Sequence, residues 1–242
     1  MIPAIALFGA LTFCALEPEP PQSEPAAAHT WFVGNGARGW KVAEESGGVT
    51  ARAVYPNEST EAFLVNGLDA RGGVHLYQWE PSAVETVTVV VSGPDAYLFQ
   101  TVRGRTQMWQ TTLAFQNAPE EWPRASSVEW MPASRLQTLT GFRPSYTLFL
   151  PGRTTQLQYR TGRNSEIQVL SGAQRGLRER LQVDSLLLGE NKLMSSWSER
   201  DGTFVVLVID RESERVFAGI VPREGEPVLL QGLAAGDLEP DK

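Results

Sequence analysis

The chain has 242 residues and a mass of 26.6 kDa, long enough to bury one large core or two small ones. Hydrophobic residues make up 42% and charged residues 20%, with 22 Gly and 16 Pro, which excludes collagen-like, prion-like and supercharged classes. One cysteine and two histidines exclude a disulfide framework and a zinc site of Cys and His ligands. A formal net charge of −7 speaks against general nucleic-acid binding.

The first segment, Ile2 to Leu16 (IPAIALFGALTFCAL), is apolar and uncharged. It is too short to cross a hydrocarbon core of ~30 Å comfortably as a helix, and it matches the apolar region of a signal peptide. The first basic residue of the chain is Arg38, so the positive flank usual before such a run is missing. Within it, Leu11-Thr12-Phe13-Cys14 resembles a bacterial lipobox, with Phe13 where Gly, Ala or Ser is usual. The resemblance implies lipidation at Cys14. Residues 1–16 are therefore expected to be a signal peptide or a lipoprotein or membrane anchor. Residues 17–30 begin EPEPPQSEPAAA, whose prolines oppose helix and whose acids stay solvated, so an acidic Pro-rich tether is expected.

From Trp31 onward the hydrophobic pattern has period two, or forms short apolar runs bounded by Gly, Pro, Asn and Asp, the signature of strands joined by turns. The clearest predicted strands are Val84–Val91 (VETVTVVV) and Phe204–Ile209 (FVVLVI). The second is continuously apolar and is expected to be buried on both faces. Further strands are expected at 49–55, 74–79, 97–102, 108–115, 146–150, 156–159, 167–170, 216–221 and 228–230. A polar hairpin loop is expected over 210–215 (DRESER). Two short helices are expected, one opened by a capping box at Ser171–Gln174 and running through Leu177 and Leu181, the other from Pro132 to Leu139. The fold class predicted is all-β with minor helix, an antiparallel β-sandwich of one or two packed β-units. Residues 117–127 (NAPEEWPRASS) concentrate turn formers, dividing β-unit 1 (31–120) from β-unit 2 (126–236), with a disordered tail at 237–242.

Charge is uneven along the chain. Residues 1–97 hold 4 basic and 11 acidic side chains, residues 98–180 hold 11 and 5, and residues 181–242 hold 6 and 12. Every basic residue of the central segment is arginine, whose planar fork suits carboxylates, phosphates and sulfates. Arg103, Arg105, Arg153, Arg160 and Arg163 are thus candidate contacts for an anionic glycan, a lipid headgroup or an acidic protein surface. The alternative is that the acidic flanks fold back and neutralise them across strand faces.

Other motifs narrow the chemistry. Gly34-Asn-Gly36-Ala-Arg-Gly39 spells GxGxxG, but no strand–helix alternation surrounds it, so a turn is expected and no dinucleotide. Period two places His75, Tyr77 and Trp79 on one face of a strand, either a stacking platform for a ligand or part of the core. No GxSxG elbow, phosphate loop, HExxH or EF-hand loop occurs. No catalytic residues, cofactor, metal or nucleic acid are expected, although carboxylate pairs for glycoside hydrolysis are set in three dimensions and stay open. The function expected is an exported, non-catalytic binding or scaffolding protein of a cell envelope, tethered at the periplasmic or extracellular face of a membrane through its N-terminus. The alternatives are an anchored structural subunit of a larger assembly or secretion apparatus, and an exported carbohydrate-active hydrolase.

Overall fold

The computed structural model of the chain describes residues 30–35, 37–45, 47–70, 72–113, 131, 145–160 and 163–236. The expectations for residues 1–29, for the 117–127 boundary, for the Pro132–Leu139 helix and for the tail fall outside them. Among the described residues every element is a strand and every strand pairing is antiparallel, as the all-β sandwich expectation requires.

Sheet 1 contains β1 (Thr30–Gly34), β2 (Gly39–Glu45), β3 (Gly48–Tyr55) and β4 (Phe63–Leu64), in that order. The GxGxxG string is the β1–β2 hairpin loop. Gly34 pairs with Gly39 across it, and the Asn35 side-chain oxygen accepts the N–H groups of Ala37 and Arg38 at 3.0 and 2.8 Å, the turn chemistry of an asparagine. Sheet 2 is a meander of β5 (Asn66–Asp69), β6 (Val74–Ser82), β7 (Glu85–Ser92), β8 (Asp95–Val102) and β9 (Arg105–Thr112). Sheet 3 is built from β10 (Ser145–Leu150), β11 (Arg153–Tyr159), β12 (Asn164–Ser171), β13 (Arg178–Gln182), β14 (Asp184–Leu187), β15 (Lys192–Ser198), β16 (Phe204–Asp210), β17 (Arg215–Val221) and β18 (Val228–Gly236). Its spatial order is β13-β12-β11-β10-β18-β17-β16-β15-β14.

The two outermost strands of sheet 3 are consecutive in sequence, separated only by Val183. The stretch 178–187 pairs with β12 through its first half and with β15 through its second. Sheet 3 therefore curls round until its two ends meet in one bent strand, which is how a sheet removes its exposed edges. The interior of this barrel is a packed core that includes Tyr146, Leu148, Leu157, Tyr159, Ile167, Leu193, Trp197, Val205, Leu207 and Ile209.

Sheet 2 lies between the other two sheets. Trp79, Val87, Val89, Val91 and Leu98 pack on Trp31, Val33, Trp40 and Val42 of sheet 1. The alternate residues Val74, Leu76, Val90, Tyr97 and Phe99 pack on Met194, Phe204, Val206, Val208 and Phe217 of sheet 3. Period two thus divides β7 between two cores, and divides β16 in the same way between the barrel interior and the interface with sheet 2. This accounts for the unbroken apolar runs in both sequences, since each fully buried Val, Leu or Ile contributes about 1.5–3 kcal/mol on either face.

The helix expected from Ser171 is instead the end of β12, a turn and β13. Gly172 and Gly176 take left-handed backbone with φ of 95° and 91°, which breaks any helix between them. The strand that follows shows alternating burial, with Glu179 and Leu181 turned inward. Strand β15 (KLMSSWS) has no sequence expectation, because its buried serines mask the apolar pattern.

Candidate functional site

The arginines flagged in the sequence do not form one patch. Antiparallel order puts the β10–β11, β12–β13, β15–β16 and β17–β18 turns at one end of the barrel and the β11–β12 and β16–β17 turns at the other. Arg153 belongs to the first end and Arg160 and Arg163 to the second. All three are held by carboxylates. Arg153 lies 3.0 Å from Glu199 and donates to the Thr155 hydroxyl, Arg160 lies 2.9 Å from Glu166, and Arg163 contacts Asp184. Glu199 and Asp184 come from the acidic C-terminal third, so for Arg153 and Arg163 the flank does fold back on the basic centre, while Arg160 is paired within the central segment. Burial pushes the Asp184 carboxyl up in pKa and the Arg163 contact opposes it.

Arg103 and Arg105 differ from that group. Arg103 is in the β8–β9 hairpin turn and Arg105 follows it, at the end of sheet 2 that meets the first end of the barrel, and neither has a carboxylate partner among the described residues. The Arg103 N–H donates to the Val84 carbonyl at 3.0 Å, tying this turn to the β6–β7 turn. A Cβ on Gly104 would sit 3.5 Å from the Gly202 carbonyl oxygen, and one on Gly202 would sit 3.2 Å from Cδ of Arg223. The lack of a side chain at Gly104 and at Gly202 thus lets three turns close together and brings Arg223 beside Arg103.

A cleft of roughly 280 Å³ lies between these turns, with Glu80, Thr86, Thr101, Arg103, Arg223 and Glu224 among its lining. Burial and the neighbouring Glu226 carboxylate both raise the Glu80 pKa. On the other side of the same hairpin, Gln100, Val102, Arg103, Arg105 and Gln107 line a groove of roughly 610 Å³. Gln100 also donates to Glu85 at 2.6 Å, and Glu85 takes both oxygens to Arg38 at 2.7 and 2.9 Å. A third depression, at the opposite end, is lined by Arg160, Asn164, Ser165, Arg180, Leu181 and Gln182. Arg175, Arg178, Arg180 and Arg223 are further arginines with no carboxylate partner among the described residues.

His75, Tyr77 and Trp79 do share a face of β6, and it is the face turned to sheet 1. Trp79 is 1% exposed, with its ring edge-on to Trp40 at 5.6 Å. Tyr77 is half-buried against Trp31 at 5.1 Å. Burial, with a smaller contribution from Asp69, raises its phenol pKa. Only His75 reaches the rim, stacked on Tyr77 with its Nδ1 3.6 Å from Asp69.

One buried polar group escaped the sequence reading. The Tyr159 hydroxyl lies 2.8 Å from Ser195 Oγ, which lies 2.9 Å from Ser185 Oγ, inside the barrel. Burial, opposed by these hydroxyls, raises the Tyr159 pKa above the usual phenol value. The only trace in the sequence is the Ser195 position, which shares a strand face with Leu193 and Trp197.

Fold and sites define an all-β, antiparallel three-sheet protein with arginine-lined surface depressions. No protein-family model matches the chain, and no curated protein matches it. Among solved structures, a crystal structure of a proposed beta-lactamase from Burkholderia vietnamiensis is similar over 39% of this chain and 92% of that chain. The identity is 16% and the TM-score 0.37, a likeness that carries no argument for activity.

Proposed function

We propose that this chain is a non-catalytic binding module of a cell envelope, exported and held near a membrane through residues 1–30, that engages an anionic partner through arginines. One observation supports the reading above others. After internal pairing has taken up Arg153, Arg160 and Arg163, the arginines Arg103, Arg105, Arg175, Arg178, Arg180 and Arg223 have no carboxylate partner among the described residues. In a chain of net charge −7, six such guanidinium groups are a directed resource for carboxylate, sulfate or phosphate groups.

The test is retention of the full chain on a carboxylated or sulfated polysaccharide matrix against a neutral matrix of the same backbone. Binding that weakens as salt rises supports the reading. Identical elution from both matrices overturns it. Intact-mass measurement on membrane and soluble fractions of the native host reads the tether separately: a chain beginning at a lipidated Cys14 supports membrane attachment, and a full-length unmodified chain in the soluble fraction overturns it.

A second reading, an exported carbohydrate-active hydrolase, draws on Glu80, a carboxyl with raised pKa beside Glu226 at the mouth of a cleft. Two carboxyls on either side of one bond suit the acid and base roles of glycoside hydrolysis. Release of reducing ends from polysaccharide that disappears in Glu80→Gln favours it over the binding module. No release by the wild type leaves the binding module.

A further inference from the structure

Resting on the binding reading above, we propose that the β8–β9 turn is the ligand-contacting element and that the ligand is an acidic polysaccharide, its carboxylate or sulfate groups held by Arg103, Arg105 and Arg223.

The backbone of the turn singles out Arg103. Arg103 and Gly104 are the two central residues between the paired Val102 and Arg105, with φ of 48° and 75°. A two-residue hairpin with both central φ positive is the turn that strongly prefers Asn-Gly or Gly-Gly. A residue with a long side chain in the left-handed region is strained by its Cβ against the neighbouring carbonyl. Glycine fills eleven left-handed positions among the described residues, and Glu214 is the one other exception. At the β8–β9 turn the strained position carries a guanidinium with no carboxylate partner among the described residues, at the point where the cleft and the groove meet. A side chain held at a conformational cost, unpaired and placed between two depressions, is explained by what it contacts from outside.

The surroundings select the class of ligand. Arg103 and Arg223 line the cleft together with Glu80, Glu224, Thr86 and Thr101. The groove adds Arg105, the Gln100 and Gln107 amides, and an apolar patch at Val102. Guanidinium groups suit the acidic groups of a saccharide chain, and carboxylates and amides suit its hydroxyls. A continuous anionic membrane surface would meet Glu80, Glu224 and Glu226 at the same rim, where like charges repel.

The test measures binding of the full chain to polygalacturonate, dextran sulfate, neutral dextran and vesicles of equimolar phosphatidylcholine and phosphatidylglycerol. The wild type is expected to bind one or both acidic polymers and neither neutral dextran nor vesicles. Arg103→Gly fits the turn better than arginine, so its thermal midpoint should rise by about 2–4 °C while its affinity for the acidic polymer falls on the order of tenfold or more. Arg223→Gln should weaken binding similarly, and Arg52→Gln, on sheet 1 and engaged by Glu45, should leave it unchanged. Wild-type affinity in Arg103→Gly overturns the site. If affinity is lost in an Arg178→Gln/Arg180→Gln double variant and kept in Arg103→Gly, the anionic-partner reading survives and the β8–β9 location does not. Vesicle binding without polymer binding overturns the ligand class alone. Failure of the wild type to bind any anionic probe overturns both this inference and the reading on which it rests.

Discussion

Arg153 on β11 reaches across the end of the barrel to Glu199, with Nη2 3.0 Å from Oε1 of a carboxylate whose side chain is 5% exposed. The same guanidinium donates through Nε to the Thr155 hydroxyl at 3.0 Å, so the pair is oriented from two sides. Removing Arg153 leaves Glu199 buried without its counter-charge, and Arg153→Ala is expected to lower stability by about 2–4 kcal/mol in urea unfolding. Arg153→Ala combined with Glu199→Gln should recover part of that loss. A purely additive double variant would show that the two side chains do not act as a pair.

Two buried aspartates on sheet 3 are expected to respond to pH with opposite signs. At Asp210, burial pushes the pKa up, but contacts from Lys192 and Ser213 outweigh it and hold the carboxyl below its ordinary 3.8. Its stabilising contribution is complete above that value and is lost as pH falls through the folded-state pKa. At Asp184 burial prevails over Arg163 and the pKa is raised, so the charged form is disfavoured by folding and stability declines as pH rises through the folded value. Asp210→Asn should therefore cost about 1–2 kcal/mol at neutral pH and flatten the acid limb. Asp184→Asn should be neutral or stabilising at neutral pH. Denaturation midpoints followed from acid to neutral pH check both, and a destabilised Asp184→Asn would show that the Arg163 contact outweighs burial.

The aromatic face of β6 should behave as core at one end and as surface at the other. Trp79→Ala empties the interface with sheet 1 beside Trp40 and is expected to cost about 3–5 kcal/mol. His75→Ala, at the rim against Asp69, should stay within about 0.5 kcal/mol of wild type. Thermal unfolding distinguishes them directly, and equal small effects would place Trp79 outside the core.

Gly232 lies where β18 is squeezed between β10 and β17, pairing with Val216 while a Cβ on it would run into the backbone carbonyl of Phe149. The obstacle is main chain, which cannot rotate away. Gly232→Ala is expected to lose about 3 kcal/mol or to fail to fold, whereas Gly47→Ala, with open space around its Cβ position, should be close to neutral. Comparing soluble yield and unfolding midpoint of the two variants tests the assignment.

Much of the secondary structure is legible in the sequence. The Val84–Val91 and Phe204–Ile209 predictions correspond to β7 and β16, and the 210–215 loop joins β16 to β17, because alternation and turn residues act within a few positions of each other. Strands whose inward positions carry serine or glutamate were less legible. Ser195 on β15 and Glu179 on β13 are buried because Tyr159 hydroxyl and Arg200 N–H partners exist for them, and those partners are distant in sequence.

Composition and periodicity by themselves determined the fold class, the hairpin loops and the concentration of arginine in the central segment, since each follows from local backbone preference and local charge. Only the tertiary structure decided that 178–187 bends to close sheet 3 and that sheet 2 is buried on both faces. The same holds for the division of the arginines, with Arg153, Arg160 and Arg163 neutralised by Glu199, Glu166 and Asp184, and Arg103 at the β8–β9 turn without a carboxylate partner among the described residues. Charge pairing depends on distances of a few ångströms between residues up to 47 positions apart in sequence, and strand order sets those distances.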